Sequence, residues 1–227
     1  MKTLIFGCGY TGSRLKELIP EAMATELPNL RTDEHIPFDF NDTETWNNIP
    51  DFDQAVITFK MTDETLAKKF AILLKGKKVI LLSSAGNLQN TTPDEIISEN
   101  NPLKECPRAQ AEGCFKAQVT ILYLGLIWGP GRMPEKWIAA GRIKNGSKYI
   151  NFINVDDLCR ILMYFMDNLD TKKSFLISDG KPLKWNEVAS AQGMKLNESL
   201  TGLESRRFNT EKLQKSLPEN FEFKKPY

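Results

Sequence analysis

The feature that most constrains this chain is the hexapeptide Gly7-Cys8-Gly9-Tyr10-Thr11-Gly12, which directly follows the short apolar run Thr3-Leu4-Ile5-Phe6. A GxGxxG pattern alone says little; between a strand and a helix it has a specific use. Arg14, Leu15, Leu18 and Ile19 supply the helix, which is expected to stop near Pro20. In that setting Gly7 permits a tight turn, Gly9 lets the backbone come close to a pyrophosphate, and Gly12 lets the helix pack against the sheet. The helix N-terminus then offers N–H groups and a partial positive charge to phosphate oxygens. The spacing points to a dinucleotide; the alternative is a structural βα turn with no ligand.

The rest of the chain repeats the alternation. Strand-like runs fall at 22–27, 36–40, 54–59, 78–83, 119–126 and 174–177, and helical spacing at 64–74, 107–115, 155–166 and 185–192. Residues 89–106 are polar with two prolines and read as one long loop. Short apolar strands alternating with helices predict an α/β fold, a Rossmann-type doubly wound parallel sheet with helices on both faces. One domain is expected over 1–227, with 129–227 forming a small C-terminal substrate-side region.

Composition narrows the function classes. Of 227 residues, 41% are hydrophobic and 26% charged, enough apolar mass for one buried core. Thirty Lys+Arg against 29 Asp+Glu leave a net charge of +1, which gives no electrostatic case for nucleic acid or a membrane surface. Cys8, Cys106, Cys114 and Cys159 show no CxxC spacing, and His35 is the single histidine, so neither a metal site nor a His-dependent hydrolase is indicated. With no signal peptide or transmembrane run, the expected setting is cytoplasmic.

Five further segments, in order, carry a family resemblance. Phe38-Asp39-Phe40-Asn41-Asp42 follows the third strand; Ile80-Leu81-Leu82-Ser83-Ser84-Ala85 ends a strand in two serines; Leu122 to Arg132 reads LYLGLIWGPGR; Ile153 to Leu158 reads INVDDL; and the tail carries Arg206-Arg207-Phe208-Asn209. With the glycine turn, the chain resembles the extended short-chain dehydrogenase/reductases, the NAD-dependent epimerase/dehydratase family, as an atypical member of a small epimerase branch. The resemblance implies that Gly7, Gly9, Tyr10, Thr11 and Gly12 hold the pyrophosphate. It places Asp39 and Phe40 by adenine, and Thr58 and Phe59 along the cofactor. Ser83 and Ser84 fall near the nicotinamide ribose, and Gly125 and Leu126 beside the nicotinamide. Glu26, near the end of the second strand and about 20 positions after the first glycine, is placed to meet the ribose hydroxyls, which favours NAD over NADP; Arg31 argues the other way, and an exposed strand-end charge is the alternative reading of Glu26.

The chain departs from that family at its acid/base pair, Tyr-x-x-x-Lys. No tyrosine here has a lysine four residues later; Lys104 and Arg108 stand in the corresponding positions, and Ser84 remains from the catalytic set, as a substrate-binding group or as a plain strand-end hydroxyl. Arg108 could bind ribose or phosphate as a fixed cation, and Lys104 could act as an acid only with a strongly lowered pKa. Arg132 and Trp137, flanking a Gly/Pro-rich segment, are candidate substrate contacts, with packing as the alternative. His35 reads as a surface histidine, Cys8 as a small buried filler, Asp157 as a helix N-cap, and Arg142, Lys144 and Lys148 as a solvated charged face. Two readings stand. One is a nicotinamide-dependent (NAD or NADP) oxidoreductase or epimerase on a small-molecule substrate. The other is a non-catalytic dinucleotide-binding sensor or partner subunit. No nucleic-acid or membrane partner is expected, and a homodimer is left open.

Overall fold

The computed structural model describes residues 1–30, 34–168 and 173–226. The chain opens β1 (Thr3–Phe6), α1 (Tyr10–Leu18), β2 (Met23–Glu26), β3 (Ile36–Pro37), β4 (Gln54–Ile57), α2 (Glu64–Leu73) and β5 (Lys78–Ser84). It continues β6 (Glu95–Ile97), α3 (Pro107–Gly113), β7 (Thr120–Leu124), β8 (Leu126–Trp128), α4 (Pro134–Ala139), β9 (Tyr149–Ile150), β10 (Phe152–Asn154) and α5 (Val155–Asn168). It closes β11 (Ser174–Ile177), β12 (Leu183–Lys184), α6 (Trp185–Ala191), β13 (Arg206–Phe208) and α7 (Glu211–Gln214).

Seven strands form one sheet in the order β11-β7-β5-β4-β1-β2-β3. The β1–β2, β1–β4, β2–β3 and β4–β5 pairings are parallel. The bonds Ile121 N–H to Lys173 O and Gly125 N–H to Ile177 O keep one offset, so β7 and β11 are parallel too. From β1 the chain winds outward to β2 and β3, then returns to β4 and winds the other way. Right-handed crossovers therefore put α1 on one face and α2 and α3 on the other. The point of reversal, between β1 and β4, is where such sheets open a crevice at the carboxyl ends of their strands.

The local reasons are plain in the sequence. β1 is apolar and wholly buried. Asp63 caps α2 by accepting the Leu66 N–H at 2.9 Å, and Pro107 starts α3, where its missing N–H costs nothing. Two compact units result: Met1–Ser83 with Lys104–Leu122 and Cys159–Ser174, and Ser84–Leu103 with Tyr123–Leu158 and Phe175–Tyr227. In the first, Phe6 meets Phe38, Phe52 and Phe70 edge-on at 5.2–5.8 Å between centroids. In the second, Trp128, Ile150, Phe152, Trp185 and Val188 form a core cluster. Among the described residues no helix is long and apolar enough to cross a membrane.

Three sequence expectations are corrected. The run 119–126 is not one strand: at Gly125 the chain changes partner. Gly125 N–H bonds Ile177 O, whereas Leu126 N–H bonds Asn151 O, and a Cβ on Gly125 would lie 2.2 Å from that same Asn151 carbonyl oxygen. The stretch 89–106 is not all loop, because β6 within it pairs in parallel with β13. Asp157 is not the N-cap of α5. Asn154 accepts the Asp156 N–H at 2.9 Å, while Asp157 is fully buried and accepts the backbone N–H of Lys224 at 2.6 Å.

Candidate functional site

The glycine turn is built as its three glycines require. Gly7 sits at φ +96°, in the region that side chains disfavour. A Cβ on Gly12 would lie 1.9 Å from Gly7 O, so only glycine lets α1 pack this close. Gly9 differs: a Cβ there meets nothing within 4 Å, because Gly9 faces a pocket. As N-cap of α1, Gly9 brings no capping side chain, and the first turn carries no acidic residue. The cap position thus supplies no side-chain acceptor to the start of the helix, whose dipole favours an anion there.

That pocket, about 340 Å³, belongs to the first unit, and Gly7, Gly9, Glu26, Asp39, Phe40, Thr58 and Phe59 line it. The Thr58 hydroxyl lies 2.7 Å from Gly7 O and fixes the turn to the end of β4. Asp39 accepts the Asn41 N–H at 2.8 Å and holds its own turn, while Phe40 packs against Trp46 and Phe59. Tyr10, Thr11 and Gly12 form the first turn of α1 and do not line the pocket. Arg31 lies outside the described residues. Cys8 and His35 depart from their sequence reading. Cys8 lines the pocket instead of filling the core, its Sγ 3.4 Å from His35 Nε2, and His35 Nδ1 lies 3.2 Å from Glu26 Oε2. The imidazole is mostly buried and orients the carboxylate of Glu26 at the end of β2.

At the end of β5, Ser83 and Ser84 have different fates. The Ser83 hydroxyl is buried and donates to Glu112 Oε2 at 2.5 Å. Arg108 Nε donates to the other oxygen of Glu112 at 2.6 Å. Burial raises the pKa of Glu112 above the usual carboxylate range, and the Ser83 and Arg108 contacts oppose that rise. Arg108 is therefore engaged in offsetting a buried carboxylate one turn along α3. Lys104 lies in the loop before α3, its carbonyl accepting the Cys106 N–H.

Ser84 lines a second pocket of about 360 Å³, this one in the second unit, together with Gly125 and Leu126. Its Oγ accepts the Gly86 N–H at 3.1 Å. Arg132 is exposed, pairs backbone to backbone with Gly129 and does not line the pocket; Trp137 packs edge-on against Trp185, which does. Sequence reasoning missed Lys148, Tyr149 and Arg206 on the same walls. Lys148 had been grouped with Arg142 and Lys144 on a solvated face; those two are exposed, but Lys148 is half-buried.

No protein-family model matches the chain, and no curated protein does. Solved structures match over nearly all of it. MoeE5 in complex with UDP-glucuronic acid and NAD is 17% identical, covering 99% of this chain and 94% of its own, with a TM-score of 0.74. The dTDP-glucose 4,6-dehydratase of Bacillus anthracis in complex with NAD is 14% identical, covering 99% and 92%, at 0.75. The chain has the fold of the NAD-dependent epimerases and dehydratases. A third structure of that epimerase/dehydratase fold is the UDP-N-acetylglucosamine 4-epimerase of Methanobrevibacter ruminantium in complex with UDP-N-acetylmuramic acid. It is 17% identical, covering 98% and 93%, with a TM-score of 0.73.

Proposed function

We propose that this chain binds NAD or NADP, with NAD favoured, and acts as an oxidoreductase or epimerase on a small metabolite, without the Tyr-x-x-x-Lys pair. The observation that carries the reading is the glycine turn: its first and last positions admit only glycine, and its middle glycine opens onto a pocket at a helix N-terminus that has no side-chain cap. The pyrophosphate would be held by the backbone of Gly7, Gly9, Tyr10, Thr11 and Gly12, with Thr58 and Phe59 alongside. Glu26 would accept from the ribose hydroxyls, and Asp39 and Phe40 would take the adenine. By the family resemblance Gly125 and Leu126 are assigned to the nicotinamide end, and Ser84 to the substrate oxygen. When bound, the dinucleotide supplies hydride transfer. The NAD carried by MoeE5 and by the Bacillus anthracis dehydratase supports the same ligand class.

Calorimetry with NAD, NADH, NADP and NADPH tests the reading; no binding of any of the four at millimolar concentration would refute it. One observation favours a non-catalytic dinucleotide sensor as the second reading. Arg108, at the family's lysine position, is tied to Glu112. A protein that binds NAD but turns over no substrate would support that alternative.

A further inference from the structure

We propose that Lys148 is the proton-transfer group of the second unit's pocket, and that this pocket takes a small carbonyl or hydroxyl compound bearing a carboxylate or phosphate. The proposal rests on the oxidoreductase or epimerase reading above and supplies the acid that the missing tyrosine leaves open.

The pocket wall is cationic and under-compensated. Lys148 is half-buried, and its ammonium makes no hydrogen bond or ion pair among the described residues. Burial lowers its pKa from the ordinary lysine value; the Glu204 carboxylate opposes the fall and the Arg206 charge adds to it. Arg206 is itself 8% exposed, and its guanidinium donates to carbonyl oxygens of Ala85, Leu88 and Leu203 at 2.9–3.2 Å. No carboxylate lies within ion-pair distance of it among the described residues. Beside them the Tyr149 ring carries Lys184 Nζ at 5.3 Å and the Arg207 guanidinium at 5.4 Å from its centroid. Glu204, on the same pocket, is exposed. Two cations over the Tyr149 ring, with Lys148 and Arg206 on the pocket wall beside it, attract an anion, and burial beside another cation favours the neutral, nucleophilic form of an amine.

The remaining wall fits a small organic body, with Leu126, Tyr149 and Trp185 as apolar surface. Ser84 Oγ already accepts the Gly86 N–H, so its own O–H is left to donate to a substrate oxygen. In the reducing direction Lys148 Nζ would give its proton to the substrate oxygen, the Nζ–H bond breaking as the O–H bond of the product hydroxyl forms; a reduced dinucleotide, when bound, would supply the hydride that the carbon needs. Nζ is left as a neutral amine and recovers its proton from water. Oxidation runs the same transfer backwards.

Pyridoxal 5′-phosphate, a phosphate-bearing aldehyde, is the probe. Its imine with an amine is reduced by borohydride to a stable secondary amine, and mass spectrometry of the intact chain reads the modified lysine. Each unit by which an amine's pKa falls gives about tenfold more of the reactive form. At pH 7.5 Lys148 should therefore be modified faster than exposed Lys144, and its labelling should rise with pH at a midpoint below the ordinary lysine value. Lys148→Arg should remove that fast phase and leave NAD affinity unchanged. In a screen of NADH oxidation by small oxo acids and sugar phosphates, the same variant should lose about 10²–10⁴-fold in turnover. Labelling of wild type no faster at Lys148 than at Lys144 overturns the proposal, as does turnover retained by Lys148→Arg. Wild type that binds no dinucleotide overturns the underlying reading instead.

Discussion

Asp179 gives the sharpest quantitative test of the fold. It follows β11 in the second unit, is 9% exposed, and accepts the Lys181 N–H at 3.0 Å. Burial pushes its pKa from 3.8 up to about 6; the Lys181 N–H and ammonium oppose the rise, and the Asp157 carboxylate adds to it. The sign follows from which state holds the proton more tightly. Below pH 3.8 both folded and unfolded chains are protonated here and nothing is lost. Between 3.8 and 6 the unfolded chain ionises first, so stability falls as pH rises, and above 6 the loss is complete. At 1.36 kcal/mol per pKa unit, a shift of about two units is worth about 3 kcal/mol. Asp179→Asn keeps an oxygen for the Lys181 N–H and never ionises. It should match wild type at pH 3.5 and exceed it by about 3 kcal/mol at pH 7.5, or about 6–12 °C in Tm for a chain of this size. Urea unfolding followed by circular dichroism at both pH values measures the difference. A gain of equal size at the two pH values would refute the reasoning, because it could not come from the ionisation of Asp179.

The other predictions concern the sites. Gly9→Val should abolish NAD binding in calorimetry while leaving the unfolding midpoint close to wild type, since a Cβ at Gly9 meets no protein atom within 4 Å. Gly12→Ala should instead destabilise the fold, its Cβ falling 1.9 Å from Gly7 O, and equal stability of the two variants would contradict the turn described above. NADH should bind about ten- to hundred-fold more tightly than NADPH, because a carboxylate beside a 2′-phosphate costs about 1–3 kcal/mol; Glu26→Gln should narrow the gap, and a preference for NADPH in wild type would reverse the assignment. Tyr123→Phe and Tyr149→Phe should leave any turnover within a few-fold, with Ser84→Ala the more damaging; a loss of about 10²–10⁴-fold in either tyrosine variant would mark that tyrosine as the acid.

What the sequence made legible follows from how far apart the deciding contacts lie. The glycine turn, the apolar strands 54–57 and 78–84, and the helices at 64–73 and 155–168 declare themselves through local pattern, and the sheet follows from their alternation. The strands β6, β9, β12 and β13 do not, because pieces of two or three residues carry no period; each exists only through a partner distant in the chain. The same distance hid the second pocket. Lys148 sits two residues after Gly146 in a stretch that also holds Arg142 and Lys144, and only the approach of 183–185 and 204–206 takes it out of water. Cys8 and Glu26 were both noticed, but the imidazole that joins them arrives from position 35, beyond the residues whose sequence is suggestive. Arg108 looked like a free cation because nothing in the local sequence marks Glu112, one turn on, as a buried charge that needs an answer.

The change of partner at Gly125 limits how this chain can vary in length. Alternate residues of a strand face opposite ways, so one residue added or removed between 120 and 128 would turn Leu126 away from its pocket and force a side chain against the Asn151 carbonyl. Such a change could not be absorbed locally, because the bonds to Ile177 and Asn151 hold the backbone on both sides of the switch. Relatives and engineered versions should therefore keep a fixed count across the nine positions around Gly125.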